Sequence, residues 1–99
     1  MVQVKQSPYL NVYYSSHDIQ VTLDTGAETN MIRLALAKNI QAPIIFTRDN
    51  LSFKFQALVV EDLDVDVFGG VPFTDCNDIT IRTAKHLVIL SDGSKCVQQ

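Results

Sequence analysis

Glycine is scarce and unevenly spread in this chain. Of four glycines in 99 residues, none stands between Ala27 and Phe68, which excludes a glycine-rich hairpin from the middle of the sequence. Cysteine is nearly absent. Two residues, Cys76 and Cys96, cannot make a disulfide framework, and without a secretory signal they read as free thiols. The segment Met1–Lys5 lacks the apolar core of a signal peptide, and no apolar run approaches membrane-spanning length. An intracellular protein with no membrane contact is therefore expected. Positive charge is also short: 8 Lys and Arg against 11 Asp and Glu leave a net charge of -3 with no basic stripe, which argues against nucleic acid as a partner. Charged residues make up only 19% of the chain and hydrophobic ones 46%, which excludes disorder. The length suits one domain, residues 1–99, small enough that burying further surface in a dimer would add to its stability.

What is present centres on Val21-Thr22-Leu23-Asp24-Thr25-Gly26-Ala27-Glu28-Thr29-Asn30. Alternating β-formers run into a carboxylate that looks buried on a glycine-containing turn, a poor place for an acid unless the acid works. Asp-Thr-Gly by itself is ordinary turn chemistry. Its frame is more specific: apolar Leu23 before it, small Ala27 after it, and a second apolar-glycine turn at Val67-Phe68-Gly69-Gly70.

From about Ser7 to Leu90 the chain resembles the retropepsins, the aspartic proteases of retroviruses and long-terminal-repeat retrotransposons. The likeness rests on Leu23-Asp24-Thr25-Gly26-Ala27 together with Gly70. It implies an all-β acid protease fold, a closed barrel with one or two short helices and one lobe per chain. By the same likeness Asp24, Thr25 and Gly26 form the catalytic turn, with the Thr25 hydroxyl bonding across a dyad to the other chain. Ala27 and Glu28 line the substrate cleft, and the substrate is an extended, polyprotein-like polypeptide. A location in the cytoplasm or within a virus-like particle follows from the same source.

The chemistry independently asks for a second acid. Peptide hydrolysis by carboxylates needs one group to take a proton from water while another protonates or hydrogen-bonds the carbonyl oxygen. With a single Asp-Thr-Gly in the chain, the simplest source is Asp24 of a second copy related by a two-fold axis, hence a homodimer. Two carboxylates about 3 Å apart cannot both ionise easily and share a proton. No cofactor is needed, and no metal is expected, since no Cys or second His stands at ligand spacing from His17.

The sequence also departs from the family. Ser7 and Val71 stand where arginines of an ion-pair network commonly occur, which leaves Glu28 without its usual partners. The glycine-rich flap hairpin that closes over substrate has no counterpart, because Pro43 leads almost directly into the strand that usually follows it. A flap excludes water and positions the scissile bond, so weak activity is expected from its loss. The alternative reading is a catalytically silent dimerisation or peptide-binding module on the same fold.

In chain order, Met1–Gln6 reads as a terminal strand, Leu10–Tyr14 and Ile19–Leu23 as strands flanking a turn at Ser15–Asp18, and Asn30 as the cap of a helix over Arg33–Lys38. Asn39 is expected to take the left-handed end position of that helix, with Leu34 and Ala37 facing inward. Ile44–Thr47 and one long strand over Leu51–Val60 form a hairpin about Arg48–Asn50. Glu61–Val67 reads as a strand with a solvated acidic face. Its Asp62, Asp64 and Asp66 do not make a calcium loop, because Val67 and Phe73 occupy the positions that need Gly and Glu. A helical turn from Pro72 to about Asn77 precedes strands at Asp78–Arg82 and His86–Leu90, and Ser94–Gln99 is a last strand or tail. His17 reads as a solvated loop residue and His86 as structural.

Overall fold

The computed structural model describes residues 7–41 and 43–98; the expected strand over Met1–Gln6 lies outside them. The chain begins with the hairpin of β1 (Tyr9–Tyr14) and β2 (His17–Leu23). Leu10, Val12, Ile19, Val21 and Leu23 are buried, and the residues alternating with them point away from the core, as the pleat requires. The turn is shorter than expected. Only Ser15 and Ser16 form it, with φ of 47° and 73°, the positive values that a two-residue hairpin demands. His17 and Asp18 already pair with Tyr14 and Tyr13.

Beyond the Asp24 turn come β3 (Met31–Arg33), α1 (Leu34–Ala37), β4 (Ile44–Arg48), β5 (Leu51–Phe55), β6 (Leu58–Val60) and β7 (Val67–Gly69). Then follow α2 (Val71–Cys76), β8 (Thr80–Arg82), a 3₁₀ turn (Thr83–Lys85), β9 (Leu87–Ile89) and β10 (Lys95–Val97). Seven strands form one sheet in the order β5-β4-β1-β2-β7-β3-β6, curled into a half-barrel. A second sheet has the order β10-β9-β8. β7 lies between β2, to which it is parallel, and β3, to which it is antiparallel. This interleaving brings the ends of β2 and β7, and so the Asp24 and Gly70 turns, side by side.

Phenylalanines organise the core. Phe46, Phe53, Phe55 and Phe73 are all buried to 2% exposure or less. Phe73 of α2 stacks on Phe55 and Phe53 with ring centroids 5.6 and 6.2 Å apart, which ties the helix to the β4–β5 hairpin. Asn77, just past α2, completes the tie in a way that imitates a strand. Its Oδ1 accepts from the Lys54 N–H at 2.9 Å and its Nδ2 donates to the Lys54 carbonyl at 3.0 Å, so a side chain occupies the outer edge of β5. Both cysteines are free, as their number predicted.

Four local expectations are corrected. Asn30 is not a helix cap: α1 starts from Arg33 with no side-chain cap, and Asn30 is buried elsewhere. The helix is shorter than Arg33–Lys38, Ala37 packs on the core with Leu36 while Leu34 is half-buried, and Asn39 is not left-handed. The strand expected over Leu51–Val60 breaks at Gln56-Ala57, where the Gln56 carbonyl turns to accept from Asn30 Nδ2 at 2.9 Å. β6 then crosses to the far end of the sheet and pairs with β3. Residues 61–66 form a loop and not a strand. Arg33 gathers that loop: its N–H donates to the Asp66 carbonyl at 2.9 Å, its Nε to the Leu63 carbonyl at 2.9 Å, and its guanidinium meets Asp66 Oδ1 at 3.1 Å.

Candidate active site

Leu23, fully buried at the end of β2, carries the chain to Asp24. The backbone on both sides of the acid is fixed, because Leu23 N–H donates to the Pro8 carbonyl at 2.8 Å and Asp24 N–H to the Gly69 carbonyl at 3.0 Å. The turn then closes on the carboxylate itself: Gly26 N–H donates to Asp24 Oδ1 at 2.8 Å, and Ala27 N–H donates to the Asp24 carbonyl at 3.4 Å. One carboxylate oxygen is thereby oriented. Neither the second oxygen nor the Thr25 hydroxyl is held by another described residue. Asp24, Thr25 and Gly26 are all exposed. The buried setting expected for Asp24 is therefore not supplied within one chain, since the turn projects beyond the last ladder pair of β2 and nothing in the described residues folds over it.

The turn rests on the Gly70 loop. A Cβ at Gly70 would stand 2.6 Å from the Ala27 carbonyl oxygen and 2.8 Å from that of Thr29, so the two loops meet backbone to backbone and only glycine fits. Val71 N–H donates to the same Ala27 carbonyl at 2.8 Å. Asn30, 5% exposed, locks the junction. Its Oδ1 accepts from Gly70 N–H at 2.9 Å and Phe73 N–H at 3.2 Å, while its Nδ2 serves Gln56. A buried amide with its oxygen and nitrogen both engaged is a rigid anchor. Sequence reasoning missed this role. The only available signal was an asparagine falling at the exit of the Asp-Thr-Gly turn, in the same chain as the downstream Gly70 motif.

Ala27, half-buried, belongs to this junction through its carbonyl; Glu28 is exposed and makes no ion pair with a described residue. Asp24 and Thr25 open onto a groove of about 430 Å³ whose other walls include Tyr9, Leu23, His86 and Leu87. His86 sits left-handed, φ 51°, at the end of the 3₁₀ turn. The fold thus brings it to the same groove as Asp24, which its place in the sequence did not suggest. Gln98 stitches this side together. Its Oε1 accepts from Tyr9 N–H at 2.6 Å and its own N–H donates to the His86 carbonyl at 2.7 Å, so the tail closes the second sheet onto the start of β1. His17 is exposed at the start of β2, away from the site.

No protein-family model and no curated protein matches the chain. Among solved structures, the retroviral protease-like domain of Ddi1 from Leishmania major superimposes with a TM-score of 0.78 at 11% sequence identity, covering 95% of this chain and 92% of that one. The fold is retropepsin-like. At this identity the likeness speaks for the architecture alone.

Proposed function

We propose that the protein is a homodimeric aspartic endopeptidase in which Asp24 and its symmetry mate activate a water against the peptide carbonyl. The observation that carries this reading is the Asp24-Thr25-Gly26 turn, held from below by Gly69 and Gly70 and closed by the Gly26 N–H to carboxylate bond, with one carboxylate oxygen and the threonine hydroxyl left open. In the dimer each Thr25 hydroxyl reaches the opposite turn, the two carboxylates share one proton, and the protonated member polarises the carbonyl while the ionised one takes a proton from water. Ala27 and Glu28 flank the substrate backbone. Gly26 is compatible with the dimer: within one chain a Cβ there would meet only Asp24 Oδ1, at 3.4 Å, and in the proposed dimer the missing side chain lets the opposite turn come close.

No flap closes this enzyme. Among the described residues, only the single-turn helix α1 and a short connection lie between β3 and β4. Positioning of the scissile bond is correspondingly poorer, and turnover on short peptides is low. The same observation favours the second reading, a silent dimerisation or peptide-binding module of retrotransposon-type descent. Cleavage of an unfolded protein substrate across about pH 3 to 7, comparing the chain with Asp24→Asn, separates the two. Activity that vanishes in Asp24→Asn establishes the dyad. A folded, dimeric chain with no activity at any pH assigns the fold to binding.

A further inference from the structure

The seven-stranded sheet ends on two unlike edges. The outer edge of β5 is plugged at Lys54 by Asn77. Among the described residues the outer edge of β6 is open: β6 is the terminal strand beside β3, and its Leu58 and Val59 are 63% and 56% exposed, although Ile32, the β3 partner of Val59, is buried. Leu58 N–H donates to the Asn30 carbonyl at 3.0 Å, which turns its backbone toward β3. Strand alternation therefore turns the N–H and C=O of Val59 outward, and no described residue pairs with them. The chain leaving β6 is acidic: Glu61, Asp62 and Asp64 are exposed, and among the described residues only Asp66 of the acids in this loop has an ion-pair partner, Arg33.

We propose that the free edge of β6 takes an extended segment of another protein as an added strand, apolar at alternate positions and carrying lysine or arginine beside Glu61–Asp64. Main-chain bonds to Val59 supply the register, Leu58 and Val59 supply apolar contact on the two faces, and the acidic loop selects a basic partner. A second copy of this chain fits less well, because it brings its own acidic loop and a net charge of -3. The surface is separate from the Asp24 groove. A strand seated on β6 lies four strand spacings from β2, roughly 19 Å along the sheet, and no β6 residue lines that groove. The proposal therefore stands whether or not Asp24 is catalytic.

The test is a titration of the ¹⁵N-labelled chain at neutral pH and low salt with a blocked hexapeptide of alternating valine and lysine, and with its glutamate-for-lysine counterpart. Amide shifts confined to residues 57–64, with Asp24–Gly26 unmoved, and clearly weaker binding of the acidic peptide support the site. Val59→Pro removes the outward N–H together with the valine side chain, a substitution that an edge strand tolerates, and weakens binding about tenfold or more with an unchanged melting temperature. Should Val59→Pro not fold, N-methylation of the peptide's central valine amides removes the complementary bonds, from the peptide N–H groups to the Val59 carbonyl, with a comparable expected loss. Shifts mapping to the Asp24 groove, equal binding of the two peptides, no binding at millimolar concentration, or self-association that shifts residues 57–64 without peptide each overturn the proposal.

Discussion

The Asp24 turn and the Gly70 turn touch, yet they are built in opposite ways. The Gly70 turn is buried, its amide is taken by Asn30, and a methyl group in place of a hydrogen would overlap two carbonyl oxygens. The Asp24 turn is exposed, held by a single side-chain bond, and has room for a methyl group at its glycine. The chain itself requires glycine at position 70, whereas at position 26 the fold would accept a methyl group. The contrast teaches where to look for function on a small β domain: the rigid loop is the support, and the loosely satisfied one is the working surface.

That contrast can be broken by substitution. Gly70→Ala drives a Cβ into backbone, which cannot retreat, and is expected to cost about 3 kcal/mol of folding stability, read as a large drop in the denaturation midpoint. Asn30→Ala leaves the Gly70 amide and the Gln56 carbonyl without their Asn30 partner, while the Phe73 amide keeps its bond to the Gly70 carbonyl, and should cost about 2 to 3 kcal/mol, with Gly70 amide exchange accelerating more than that of β1. Gly26→Ala is the sharpest comparison. Folding stability should move by no more than about 0.5 kcal/mol, while sedimentation shifts toward the single chain and proteolysis is lost; an active dimeric Gly26→Ala protein would contradict the close approach proposed at the dyad.

The smallest effect lies far from both turns. Bonds from the Ser94 hydroxyl and backbone N–H hold the Asp92 carboxyl below its ordinary range. Because the folded-state value is the lower one, this contribution is present above the unfolded carboxylate range and is lost as pH falls through the folded value. Asp92→Ala should therefore lower stability slightly in the neutral region and leave it unchanged at the acid end, so that the acid limb of the stability curve is slightly flatter.

Much of this was legible in the sequence, for local reasons. The β1–β2 hairpin follows from alternation around Ser15-Ser16, and the Asp24 and Gly70 turns from their short motifs. Asn30 was misread because its side-chain partners lie 26, 40 and 43 residues away, beyond any local pattern, while the local pattern offered a plausible cap. The acidic segment after β6 kept its expected alternation, with Leu63 and Val65 half-buried between exposed acids, but alternation cannot tell a strand from a loop pinned by one arginine. Gln98 read as tail because its bond to Tyr9 spans 89 residues. Groove neighbours such as His86 were illegible for the same cause, since sheet topology alone brings the 3₁₀ turn beside the end of β2.

The amide of Asn77 has a consequence for behaviour in concentrated solution. An unpaired outer strand is a template on which like chains stack, and β5 is the longer of the two edges of the main sheet, with Phe53 and Phe55 behind it. By bonding to both backbone groups of Lys54, a single side chain interrupts the run of free donors and acceptors that fibrillar growth needs. The longer edge of the main sheet is thus guarded against stacking by a polar side chain that lies outside the core.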